Sequence, residues 1–159
     1  MNAKITDLEQ LAVRTRELRA QGRKVVATNG CFDLLHVGHV RYLQAARKLG
    51  DALVVGVNGD ASVRALKGPM RPLNSAADRA EVLAALACVD FVTIFPEKRA
   101  THFLQAAHPA VYVKGGDYKP ETLDPEERAA LERVGAAIQI IPFEPGYSTS
   151  GLIDRMSSE

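Results

Sequence analysis

The chain has 159 residues, enough for one domain that buries about 70% of its unfolded surface around a single core. Its 20 basic residues stand against 19 acidic ones, with a net charge of +1 and no tryptophan, so there is no general electrostatic footprint for nucleic acid and any cationic site has to be local. The N-terminal segment is charged and lacks the apolar stretch and cleavage site of a secretory signal, and no run approaches the roughly 20 apolar residues of a membrane span. A cytoplasmic protein without nucleic-acid or membrane partners is expected. Without export, Cys31 and Cys88 read as free thiols.

In chain order, an amphipathic pattern predicts a leading helix from Thr6 to Ala20, with Leu8, Leu11 and Leu18 on one side. Five strand-like apolar runs follow at Lys24 to Ala27, Ala52 to Val57, Phe91 to Phe95, Ala110 to Val113 and Ala137 to Ile141, with helical patterns between them. That alternation predicts an α/β domain: right-handed crossovers, a five-stranded mainly parallel sheet in a Rossmann-like three-layer sandwich, and a ligand site beyond the carboxyl ends of the strands. One domain over residues 1–159 is expected, with a leading helical segment at 1–22 and a core at 24–156.

The first strand runs into Asn29, Gly30, Cys31, Phe32 and Asp33, then His36, Gly38 and His39. Val40, Leu43, Ala46 and Leu49 recur at helical spacing, so a helix opens near His36 or Val37. Its free N–H groups and positive dipole end attract anions, Gly38 removes a Cβ that would hold a phosphate away, and two imidazoles three residues apart can reach the same oxygens. Read alone, either histidine is more often a surface or capping residue, and a bare H-x-G-H occurs by chance in many chains. A zinc site is a poor fit, because no other ligand stands in register.

Three further segments carry candidate residues. Leu66 to Arg79 is broken by Gly68, Pro69 and Pro72 and reads as a mobile loop feeding a helix. In it Lys67 offers a point charge to a triphosphate and Arg71 and Arg79 offer forked donors to phosphate oxygens, or all three serve as solvated loop charges. After the fourth strand, Lys114, Gly115, Gly116 and Asp117 stand at the ligand edge of the sheet as substrate contacts or as a tight turn. Asn58 and Asp60 suit a ribose, and Asp60 equally suits a helix cap. Near the C-terminus, Ser148, Thr149 and Ser150 precede a last helix containing Leu152, Ile153 and Met156, where capping and phosphate binding are compatible.

Read in order, NGCFDLLHVGH, ARKLGD, LKGPMRPLNSAADR, VKGGDYKPE and FEPGYSTS resemble the cytidylyltransferase-like nucleotidyltransferases with their HxGH fold, and within them the D-glycero-β-D-manno-heptose 1-phosphate adenylyltransferases. The resemblance implies transfer of AMP from ATP to the sugar 1-phosphate for lipopolysaccharide core synthesis. It implies catalytic roles for His36, His39 and Lys67, phosphate holding by residues 148–150, and Mg²⁺ bridging phosphate oxygens, with Asp33 as a nearby carboxylate or a brace of the turn. It further implies a homodimer and a separate heptose 7-phosphate kinase, since no kinase region accompanies these motifs. Glycerol-phosphate cytidylyltransferases carry R-T-E-G-x-S-T where this chain has Phe143 to Thr149, and the missing arginine disfavours cytidine. The alternatives are a CTP-dependent enzyme acting on glycerol or ethanolamine phosphate, an ATP-dependent one acting on flavin mononucleotide, a non-catalytic nucleotide-binding module, and a fragment of a class I aminoacyl-tRNA synthetase. Against the last stand the short chain and its neutral charge.

Overall fold

In the computed structural model, which describes residues 2–142 and 144–158, five strands form one sheet in the order β3-β2-β1-β4-β5. They are β1 (Val25–Gly30), β2 (Ala52–Asn58), β3 (Phe91–Phe95), β4 (Val111–Gly115) and β5 (Ala137–Ile141). Every neighbouring pair is parallel. All seven residues of β2 are buried, as a central strand covered on both faces requires of an almost continuous apolar run.

The first helix, α1 (Leu8–Ala20), begins two residues later than the pattern predicts because Asp7 caps it, its carboxylate accepting from the Gln10 amide at 2.8 Å. With α5 (Thr101–Ala107) and α6 (Pro125–Val134), it covers one face through Leu11, Leu18, Phe103, Leu104, Ala130 and Leu131. The opposite face is covered by α2 (Val37–Arg47) and α4 (Ala76–Ala84), through Leu43, Ala46, Ala80, Leu83 and Ala84. The predicted three-layer sandwich is therefore what the chain forms. Two further helices, α3 (Asp60–Lys67) and α7 (Thr149–Ser157), border the carboxyl ends of the strands.

Three strands differ in their bounds from the sequence pattern: β1, β4 and, by one residue at Asn58, β2. Asn29 and Gly30 read as breakers, yet they continue β1 by pairing with Gly56 and Val57, because the register with β2 outweighs local propensity. β4 likewise extends to Gly115. The strand order reverses between β1 and β4, with successive strands added outward on opposite sides, so a crevice opens at their carboxyl ends. The segments after β1 and after β4 form its two lips.

Candidate active site

The turn leaving β1 is made by Phe32 in a left-handed conformation, with φ of 49°. For a bulky residue this costs about 1–3 kcal/mol, offset by burial of the ring, which is 8% exposed and meets the His39 ring edge-on at 5.8 Å. The turn carries Asp33 inward to 3% exposure. Its carboxylate accepts from Arg71 Nε at 2.8 Å, from the Leu73 amide at 2.8 Å and from the Asn74 amide at 3.0 Å. Burial alone would raise its pKa, but the Asn74 and Leu73 amides and the Arg71 guanidinium together hold it below the usual carboxylate value. Asp33 thus braces the 71–74 loop. Its oxygens already have three donors, which is a correction to its expected place as a metal ligand.

Arg79 is corrected in the same direction. It is 2% exposed and donates to the carbonyls of Asn74 at 3.0 Å, Cys31 at 2.6 Å and Asn58 at 2.8 Å, and to Asp60 Oδ1 at 2.8 Å. All its donor groups face the protein, so it ties the β1 and β2 ends to α4 and offers nothing to a phosphate. Asp60 is accordingly Arg79's partner, while Gly59 occupies the cap position of α3.

The histidines sit as the helix pattern predicts. His36 caps α2, and its Nδ1 accepts from the Gly38 amide at 3.1 Å; His39 Nδ1 accepts from the His36 amide at 3.2 Å. A ring nitrogen that accepts from a backbone N–H carries no proton, which assigns the proton of each neutral ring to Nε2. Burial lowers the pKa of His36, and burial together with the neighbouring His36 lowers that of His39 to about 4. Near pH 7 both are neutral donors, with ring centroids 4.0 Å apart. A Cβ on Gly38 would lie 2.8 Å from the His36 ring and 3.1 Å from Tyr147 Cβ. The glycine is thus needed for the ring of His36 as well as for close approach of a ligand.

The second wall comes from the C-terminal segment. Ser148 caps α7, accepting from the Gly151 amide at 2.9 Å, and the Thr149 hydroxyl donates to the Leu34 carbonyl at 2.8 Å. That bond sets the N-terminus of α7 beside that of α2, so two sets of free N–H groups and two positive dipole ends border one cleft. Phe143 of the same stretch lies outside the described residues.

The cleft has a volume of about 780 Å³ and is lined by His36, Gly38, His39, Lys67, Arg71, Lys114, Gly115, Asp117, Ser148, Thr149 and Ser150, together with residues 29–33. Gly116 and Arg79 are not among the described residues that line it. Lys67 is the last residue of α3, which Gly68 closes with φ of 104°, a conformation that favours glycine. Lys114 Nζ lies 5.3 Å from the ring centre of Tyr112 and 5.9 Å from that of Tyr118. The Tyr112 hydroxyl donates to Asn29 Oδ1, leaving the Asn29 amide nitrogen as its open group. The Cys31 thiol has a raised pKa, because burial outweighs the pull of Lys67, Arg79 and Arg71; it is a protonated, weakly nucleophilic lining group.

Several lining residues carried no local signal. Arg99, Asp124 and Glu127 reach the cleft from the starts of α5 and α6: Arg99 pairs with Asp124 at 3.7 Å, and Glu127 accepts from the Ala100 amide at 2.7 Å. Only tertiary packing brings them to the lip. Glu144 and Tyr147 also line it, and their position beside the 148–150 stretch was the available clue.

Comparison with known proteins agrees with this geometry. Residues 27–155 match the family model described as cytidylyltransferase-like. A protein named bifunctional protein HldE from Geotalea uraniireducens is 50% identical over 155 residues, covering 98% of this chain and 31% of the relative. Its namesake from Syntrophotalea carbinolica is 51% identical over 138 residues, 87% of this chain and 28% of the relative. The chain therefore spans about a third of the length of the curated relatives it matches. Among solved structures, a lipopolysaccharide core biosynthesis protein from Thermoplasma volcanium aligns with a TM-score of 0.63 and 27% identity, over 77% of this chain and 98% of its own. A pantoate-beta-alanine ligase from Francisella tularensis, at 15% identity and a TM-score of 0.57, shares the fold over 92% of this chain and 69% of its own. With a parallel 3-2-1-4-5 sheet, a histidine pair opening α2 and a family match over residues 27–155, the chain belongs to the cytidylyltransferase-like family.

Proposed function

We propose that the protein transfers AMP from ATP to D-glycero-β-D-manno-heptose 1-phosphate, forming ADP-heptose and pyrophosphate in the cytoplasm. The observation that carries nucleotidyl transfer is the pair of neutral imidazoles, each with its proton on Nε2, in the cleft that the N-terminus of α7 also borders. The acceptor rests on the ordered motifs and on the similarity to HldE proteins and to a lipopolysaccharide core biosynthesis protein.

In this reading a phosphate oxygen of the sugar 1-phosphate attacks the α-phosphorus of ATP in line, and the bond to pyrophosphate breaks. A phosphate monoester is a competent nucleophile at neutral pH, so the protein supplies position and charge stabilisation and forms no covalent intermediate. The Nε2–H groups of His36 and His39 donate to the phosphate oxygens as negative charge shifts onto them. Lys67 and the N-terminus of α7 hold the leaving phosphates. The described residues contain no group of three potential metal ligands, and Asp33 is occupied by Arg71, Leu73 and Asn74. Mg²⁺ accordingly belongs to the reading as part of the MgATP substrate.

The reading places a heptose 7-phosphate kinase earlier in the same route and includes a homodimer as its assembly. No helix among the described residues is long and apolar enough to cross a membrane.

The test is pyrophosphate release from ATP and from CTP, each with Mg²⁺ and heptose 1-phosphate, with glycerol 3-phosphate as the competing acceptor. Release confined to ATP with the heptose is the expected result. Release from CTP with glycerol 3-phosphate would replace it by a cytidylyltransferase, and silence with every pair from protein that binds ATP would make it a nucleotide-binding module.

A further inference from the structure

We propose that Tyr147 is a positioning residue for His36, fixing the imidazole with Nδ1 on the Gly38 amide so that Nε2–H faces the phosphates; this rests on His36 acting as a donor in nucleotidyl transfer.

Tyr147 precedes the cap of α7 and lies over the first turn of α2. Its ring is stacked on that of His36, with centroids 6.1 Å apart and planes 22° from parallel, within the range of offset aromatic pairs. Contact also runs through the backbone, since a Cβ on Gly38 would meet both the His36 ring and Tyr147 Cβ. One turn along α2, the Arg41 guanidinium lies 5.9 Å from the Tyr147 ring centre and pairs with Glu144 Oε2 at 3.4 Å. Tyr147 is thereby held by two successive turns of α2.

Burial does not account for this residue. It is 46% exposed, and its hydroxyl makes no hydrogen bond among the described residues. What it uses is the face of its ring. The imidazole needs such a partner: χ2 of histidine is broad and roughly two-fold, and rotation by half a turn replaces Nδ1 by a C–H at the Gly38 amide. The His36 ring takes a single 3.1 Å hydrogen bond from Gly38 and lies between the rings of His39, at 4.0 Å, and Tyr147. His39 has its own hydrogen bond from the His36 amide and no ring contact with Tyr147 among the described residues, so its tautomer is the comparison.

The experiment compares Tyr147→Leu and Tyr147→Phe with the parent protein, after thermal unfolding shows that each is folded. In substrate-free protein, ¹⁵N shifts of the two imidazoles and hydrogen exchange at the Gly38 amide are measured. Turnover and the KM for ATP follow. In Tyr147→Leu the His36 ring is expected to show mixed tautomers and the Gly38 amide to exchange about tenfold faster, with His39 unchanged. Turnover should fall about tenfold while KM changes by less than about threefold, as expected when an interaction made mainly in the transition state is weakened. Tyr147→Phe should restore all of these.

Unchanged His36 shifts and Gly38 exchange in Tyr147→Leu would overturn the proposal, as would a shifted ring with undiminished turnover. An equal disturbance of His36 and His39 would also overturn it, showing a general loosening. If the parent protein releases no pyrophosphate with any acceptor, nucleotidyl transfer fails as a function, and the ring and amide measurements still decide what Tyr147 holds.

Discussion

The histidine pair opening α2 and Arg79 of α4 flank the same strand end and treat their donors in opposite ways. His36 and His39 turn Nδ1 to backbone amides of their own helix and keep Nε2–H open. Arg79, with more charge and more N–H groups, is directed into the protein, to Asp60 and three carbonyls, while Arg71 gives only Nε to Asp33 and still lines the cleft. The difference teaches that a basic residue at a phosphate site is identified by the donors it has left after folding. Lys67, at the end of α3, and Arg71 stand between the two cases: both line the cleft, and the Lys67 side chain has no ion pair or hydrogen bond among the described residues.

The sharpest test of the contrast is Arg79→Met. It leaves the carbonyls of Cys31, Asn58 and Asn74 without their donor, and urea unfolding should show a loss of about 3 kcal/mol or more. Should stability hold while ATP binding collapses, Arg79 would belong with the phosphate groups after all. His39→Ala should do the reverse: turnover lower by on the order of 100-fold, about 2.7 kcal/mol of transition-state stabilisation, in a protein that remains folded. Near-normal turnover in that variant would remove the histidine from the reaction.

His39 also gives the contrast a pH signature. Its pKa falls from 6.5 to about 4 on folding, so between those values the unfolded chain takes up a proton that the folded protein refuses. Its contribution to stability is complete above about pH 6.5 and is lost as pH falls toward 4. Urea midpoints across that window should decline with falling pH, and less steeply in a His39→Gln variant. The smallest effect belongs to Lys67→Ala, where a rise of about tenfold in the KM for ATP is expected with little change in stability. An unchanged KM would place Lys67 with the solvated charges.

The sheet was legible because its strands are apolar runs bounded by turn residues, even where, as in β5, the strand is mostly exposed. β5, between Gly135 and Pro142, occupies the range its apolar run predicts. The end of β1 was not, since Asn29 is a strand residue only by virtue of its neighbours. The same division holds in the site. His36, Gly38 and His39 are close in sequence and share one helical turn, so their spacing carries their geometry. Asp33 and Arg79 find their partners far along the chain, and a formal charge carries no information about which distant group it meets. Arg99 and Glu127 were invisible for a related reason, because the starts of α5 and α6 approach the cleft only once the second layer has packed.

The hydrogen bond from Thr149 to the Leu34 carbonyl joins positions 115 residues apart. Such a contact closes a long loop and waits on the pairing of the intervening strands, so completion of the cleft is a late event in the folding of this domain. No residue of α7 is buried, which gives that helix little apolar surface to lose on detaching. The helix that closes the cleft is therefore held by few buried contacts, and it can fray and reseat while the sheet beneath stays intact.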